Sequence, residues 1–302
     1  MRNNVARIFL VVALIPVGLY GLMWGLWALR SSHPYSAYSQ WSSGGMYNGY
    51  SPRVSPSGTS IVYSSPLTGQ GDIYTMPITG GTPTRLTTGD FEDVDPCFTP
   101  DGKSIVFVRD NHLWIMAATG NGQHQITFDG WSQENPVVSP DGAKVMYVET
   151  FHNRRCALYV KSLGSSSPGV RFPTKRMSFD PAYDPKGDAY YGYLDGNGSR
   201  WIATTPKGGS EHTVAVGYEA VISPNGALMA CLDEPYSQSL CLMQPSGKNR
   251  RILMNDRTYK SALSFLPDNR HLIYLESGSS QSTANIVEID IRTLAKKTIA
   301  SI

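Results

Sequence analysis

A four-residue turn recurs six times along this chain, as Ser55-Pro56-Ser57-Gly58, Thr99-Pro100-Asp101-Gly102, Ser139-Pro140-Asp141-Gly142, Asp184-Pro185-Lys186-Gly187, Ser223-Pro224-Asn225-Gly226 and Leu266-Pro267-Asp268-Asn269. Its prolines lie 39 to 45 residues apart, and a fixed period of that size marks a fold built from one repeated unit. Proline presets φ at the first central position, while the last slot needs a residue that tolerates positive φ. Gly fills that slot five times and Asn, the next most tolerant residue, once.

A short apolar run follows each turn: Ile61-Val62-Tyr63, Ile105-Val106-Phe107-Val108, Val145-Met146-Tyr147-Val148, Ala189-Tyr190-Tyr191, Leu228-Met229-Ala230-Cys231 and Leu272-Ile273-Tyr274-Leu275. Second runs begin near Asp72, His112, Ala157, Ser199, Ser239 and Asn285, each before a turn and a short edge segment such as Thr84-Arg85-Leu86-Thr87. With the strand ahead of the turn, each unit holds four strands. Continuous apolar runs suit sheets covered on both faces, and four strands in about 40–45 residues make a propeller blade. The expected fold is therefore all-β, a six-bladed β-propeller over residues 49–302. Unit one has its own inner strand near Arg53-Val54, and unit six its own outer strand near Lys297-Thr298-Ile299. The ring should then close by packing between blades one and six, without a shared strand.

The units Asp95-Pro96-Cys97-Phe98-Thr99-Pro100-Asp101-Gly102 and Asn135-Pro136-Val137-Val138-Ser139-Pro140-Asp141-Gly142 resemble the TolB-like, WD40-like propeller repeat. The resemblance runs through all six units and fades at Glu219-Ala220 and Ser261-Ala262. It implies the propeller fold and carries no chemistry, because the motif is a turn. TolB itself has a mixed α/β domain ahead of its propeller; the likeness here is to the propeller part, so a role in the Tol system does not follow.

Ahead of the repeats, Ile8 to Leu29 are 22 residues without a charge. At about 1.5 Å per residue such a helix spans a hydrocarbon core of roughly 30 Å. Arg2, Arg7 and the amino terminus precede the stretch and only Arg30 directly follows it. The positive-inside bias then keeps the N-terminus in the cytoplasm and sends the propeller to the periplasm or cell exterior. The stretch is longer than a signal-peptide core, and Ala28-Leu29-Arg30-Ser31-Ser32 is a poor cleavage site. Residues 1–30 are therefore expected to be a single-pass membrane anchor, with the helix at about 8–29, and uncharged residues 31–48 a flexible tether.

The net charge is +2 with no dense basic run, which argues against a nucleic-acid partner. A prolyl-oligopeptidase-type hydrolase would need a Gly-x-Ser-x-Gly elbow, which the sequence lacks. The six histidines show no paired ligand spacing, so neither a metal nor another cofactor is expected. Cys231 and Cys241 take slots that hold aromatics in other units, facing each other on adjacent strands. They read either as a disulfide formed in an oxidising compartment or as two small buried residues. Cys97 and Cys156 read as core residues.

Loops joining one blade to the next open at one face around the central tunnel, and each carries an aromatic six to nine residues before the anchoring proline. The candidate binding residues are Tyr50, Phe91, Asp93, Trp131, Glu134, Arg176, Tyr218, Glu219 and Tyr259. Aromatics with interspersed charge suit a protein or cell-wall partner. The competing reading is that these rings fill spaces between blades and that Asp95, Asn135 and Asp180 cap their own turns. The function expected is a membrane-anchored, exported scaffold that binds a protein or envelope component; the alternative is a lyase or hydrolase with its site at the tunnel mouth.

Overall fold

The computed structural model describes residues 51–302 except 66–70, 129, 152–154, 175, 208, 234–238, 257 and 278–283. The expected anchor and tether therefore lie outside the described residues, among which no helix is long and apolar enough to cross a membrane.

Among the described residues, twenty-four strands form six antiparallel sheets of four, each sheet made from consecutive strands. Blade 1 holds β1 (Arg53–Val54), β2 (Ser60–Ser65), β3 (Asp72–Pro77) and β4 (Thr84–Arg85); blade 2 holds β5 (Asp93–Phe98), β6 (Ser104–Arg109), β7 (His112–Ala117) and β8 (His124–Gln125). Blade 3 comprises β9 (Ser132–Val138), β10 (Lys144–Thr150), β11 (Cys156–Ser162) and β12 (Val170–Arg171), and blade 4 comprises β13 (Ser178–Tyr183), β14 (Ala189–Leu194), β15 (Arg200–Thr205) and β16 (His212–Val216). Blade 5 contains β17 (Tyr218–Ile222), β18 (Met229–Leu232), β19 (Ser239–Met243) and β20 (Arg251–Asn255); blade 6 contains β21 (Tyr259–Phe265), β22 (His271–Ser277), β23 (Ala284–Asp290) and β24 (Lys296–Ser301). The chain is a six-bladed propeller, and no blade borrows a strand from another.

The repeated turn joins the first two strands of each blade. In blade 3 the Ser139 hydroxyl donates to Asp141 and accepts the Lys144 N–H at 3.0 Å, while the Gly142 N–H donates to Ser139 O at 2.8 Å. The final slot is left-handed in every copy, with φ of 71°, 68°, 70°, 89° and 71° at the five glycines and 58° at Asn269. Blade 4 departs from the pattern. Its turn closes from Asp184 N–H to Asp188 O, one residue sooner than the Ser139 to Lys144 closure.

The core lies between blades, where second strands present Tyr63, Phe107, Tyr147, Tyr191 and Tyr274, all buried. Blades 1 and 6 meet through Ile61, Tyr63 and Met76 on one side and Ile273, Leu275, Ile286 and Ile299 on the other. Side-chain packing of this kind closes the ring, helped by a hydrogen bond of 3.2 Å from Val54 N–H to the Ser264 hydroxyl.

Candidate functional site

Each inner strand of blades 2 to 6 carries a bulge, where its register against the second strand shifts. The bulged residues Asp95, Asn135, Asp180, Glu219 and Ala262 are all left-handed, with φ between 46° and 56°. Asn and Asp tolerate that region; Glu and Ala are strained in it. The bulge re-aims the side chains of Asp95, Asp180 and Glu219 across the blade interfaces.

Asp95 accepts the Ser51 hydroxyl at 2.9 Å from the preceding blade and the Asn135 N–H at 3.1 Å from the following one. Asp180 accepts the Glu219 N–H, and Glu219 in turn accepts the Ala262 N–H at 2.7 Å. The expectation that Asp95 and Asp180 cap their own turns is thus corrected. The bulge carries the carboxylates of Asp95 and Asp180 to neighbouring blades, and the turns are closed by Ser139, Asp141 and their counterparts. This belt surrounds a cavity of about 40 Å³ lined in part by Arg53, Asn135, Asp180 and Glu219. Among the described residues the buried Oδ2 of Asp180 has no hydrogen-bond partner. Burial first, and the neighbouring Glu219 second, push the Asp180 carboxyl well above the usual carboxylate range.

Of the nine candidate residues, Phe91, Trp131 and Arg176 lie ahead of the inner strands, and Asp93, Glu134, Tyr218, Glu219 and Tyr259 lie on them. Tyr50 lies outside the described residues. Phe91, Trp131 and Tyr259 are exposed at 47%, 43% and 38%, and Arg176 and Met177 are exposed as well. Asp93, Glu134, Tyr218 and Glu219 are buried. The cause is register. Counting back from the left-handed residue, Phe91, Trp131 and Arg176 stand four positions earlier and Tyr259 three, whereas Glu134 and Tyr218 stand one earlier, in a slot that faces the core.

Asp93 is held by Arg109 through two hydrogen bonds of 2.6 and 2.7 Å. The Arg109 guanidinium lies 5.2 Å from the Phe91 ring centre, 5.3 Å from that of Phe107 and 4.9 Å from that of Trp114. Burial raises the Asp93 carboxyl despite this partner. Tyr218 stacks under Arg200 at 4.6 Å, and Arg176 covers Tyr193 at 4.4 Å. Near blade 6, Lys260 binds Asp256, and Lys296 reaches both Asp256 and Glu276 at 3.3 and 2.9 Å. Among the described residues no three His, Cys, Asp or Glu side chains converge as a metal site. Sequence reasoning missed the Asp180 cavity and the Arg109 cage. A signal for the first was present, since Asp95, Asn135 and Asp180 each directly precede a proline at the same repeat position.

Cys231 and Cys241 face each other across β18 and β19, as free thiols.

With this geometry in hand, comparison places the fold among known ones. Residues 38–167 match the model of the TolB beta propeller domain, so the chain carries TolB-like propeller repeats. TolB from Acinetobacter baumannii superposes with a TM-score of 0.69 at 18% identity, over 81% of this chain and 64% of that one. The oligogalacturonate lyase of Vibrio parahaemolyticus gives 0.58 at 12% identity, over 82% and 90%, and a puromycin-hydrolyzing peptidase of Mycobacterium tuberculosis gives 0.59 at 16%, over 85% and 45%. At these identities the likeness is one of fold. A sequence search of curated proteins found no match.

Proposed function

We propose that this chain is a membrane-anchored, exported propeller that binds a protein or another envelope component at the face where its blade-to-blade loops emerge. The observation that carries this reading is the exposure of Phe91, Trp131, Arg176 and Met177 on those loops and of Tyr259 at the start of the inner strand of blade 6. Large rings left in water on a rigid frame are the raw material of binding hot spots. Arg109 beneath Phe91 and Tyr193 beneath Arg176 support the rims of these loops, so their geometry is set before a partner arrives. The uncharged stretch from Ile8 to Leu29 supports the anchor, and the Arg bias around it supports export.

The test is affinity capture after in-cell crosslinking, with the full-length protein beside a Phe91→Ala/Trp131→Ala/Tyr259→Ala variant. A partner recovered by the parent and lost by the folded variant supports the reading. Equal recovery by both moves the binding surface elsewhere. Tyr218 is left intact because its burial makes its removal a test of folding.

A further inference from the structure

At one place on its middle strands blade 5 has no ring, where every other blade has at least one. Where blades 1 and 3 stack an aromatic pair across the middle strands, Tyr63 on Tyr74 at 5.8 Å and Tyr147 on Tyr159 at 5.9 Å, and blades 4 and 6 set Tyr191 opposite Ala203 and Tyr274 opposite Val287, blade 5 has Cys231 opposite Cys241. Arg250, from the turn ahead of β20, reaches this pair. Its Nη2 donates to the Cys241 sulfur at 3.4 Å, its Nη1 donates to Val216 O at 2.8 Å, and its guanidinium pairs with Asp233 at 2.7 Å. Arg250 and Asp233 are the charged groups that face the sulfurs.

The register sets the two thiols directly opposite each other. Asp233 N–H donates to Ser239 O at 3.0 Å, so alternation along the ladder makes Cys231 and Cys241 a hydrogen-bonded pair too. Such pairs have Cα atoms about 5.5 Å apart, inside the roughly 4.4–6.8 Å range that a disulfide spans. Their side chains stand farther apart than in non-hydrogen-bonded pairs, however, so an S–S bond draws the two strands together and the disulfide formed is strained and easily reduced. The Cys231 thiol donates to the Cys241 sulfur, and this bond with the Arg250 guanidinium draws the Cys241 thiol down to about 7. Cys97 makes the contrast, because burial pushes its thiol up to about 12. Both paired sulfurs are shielded from solvent, which favours a small reagent over a bulky one.

We propose that Cys231 and Cys241 form a peroxide-reactive dithiol, with Cys241 as the nucleophile, Cys231 as the resolving thiol and Arg250 as the residue that positions and charges the pair. The Cys241 thiolate attacks one peroxide oxygen, forming a sulfenic acid and releasing hydroxide. The Cys231 sulfur then displaces that oxygen, which leaves as water with the Cys231 proton, and the S–S bond forms. One thiolate, one thiol and one hydrogen peroxide become one disulfide, one water and one hydroxide, with the two sulfurs oxidised and the peroxide reduced.

The experiment treats the folded full-length protein with equimolar hydrogen peroxide, quenches by alkylation under denaturing conditions and maps peptides without reduction. The expected result is a Cys231–Cys241 cross-link, reversed by dithiothreitol, with Cys97 and Cys156 still alkylated. Oxidation of Cys97 or Cys156 at the same rate overturns the proposal, as does sulfinic acid at Cys241 with no cross-link. Arg250→Met supplies the second readout. Its rate at pH 7 should fall roughly fivefold to tenfold as the thiolate fraction drops, and its pH profile should move upward while the melting curve holds. An unchanged pH profile in that variant overturns the role of Arg250.

Discussion

Asp180 is the residue whose environment is most at odds with its chemistry. Burial and the nearby Glu219 raise its carboxyl, so the folded protein holds a proton that the unfolded chain releases near about 3.9. Its contribution to stability is full below that value and is lost as pH rises through the folded one. Asp180→Asn should remove this loss while keeping the oxygen that accepts the Glu219 N–H, and Asn135 already fills the same slot in blade 3. Urea unfolding from pH 4 to 8 should show the variant gaining on the parent with rising pH, by about 1–2 kcal/mol at the upper end. A parent that gains on the variant instead would contradict the assignment. Arg109 has the opposite character, a buried cation fully engaged by Asp93 and three rings. Arg109→Met leaves Asp93 buried and unpaired, and should cost about 3–5 kcal/mol by the same measurement; a loss below about 1 kcal/mol would mean that the pair is already solvated. Neither role was legible in the sequence, because spacing along one chain does not reveal which groups meet across a blade interface. The Asp-Pro dipeptides were visible at Asp95 and Asp180, but the direction of their side chains depends on the bulge, which the sequence does not display.

At the scale of the element, the turn was legible because its physics is local. Gly in five copies and Asn in the sixth correspond to left-handed backbone in all six. The copies nevertheless differ in what surrounds them. A Cβ at Gly58 would lie 2.9 Å from Cδ of Pro267, at the seam between blades 1 and 6, whereas one at Gly142 would have 4.0 Å to Pro100. Gly142→Ala should therefore cost only the conformational penalty of about 1–2 kcal/mol, and Gly58→Ala should cost more, since the Pro267 ring must also give way. Equal losses in denaturant unfolding would show that the seam relaxes freely. The loop aromatics show where element-level reading stops. Counting from the proline placed Tyr218 with Phe91 and Trp131, but a shift of three ladder positions turns Tyr218 into the core and leaves the other two in water.

For the whole molecule, the fold was legible in outline because six near-identical units must share one environment, and a ring is the arrangement that gives each blade two neighbours. Closure through Ile61, Tyr63, Ile273 and Ile286 without a shared strand follows from where the first and last strands fall in the repeat. The same ring puts all blade-to-blade loops on one face and all proline turns on the other, which makes the central claim testable by position alone. A photoreactive amino acid at position 131, on the loop face, is compared in living cells with one at position 57, in the exposed turn of blade 1. Site-specific cross-linking from position 131, with none from 57, is the predicted result. Cross-links confined to position 57 would contradict the account and move the binding surface to the opposite face of the propeller.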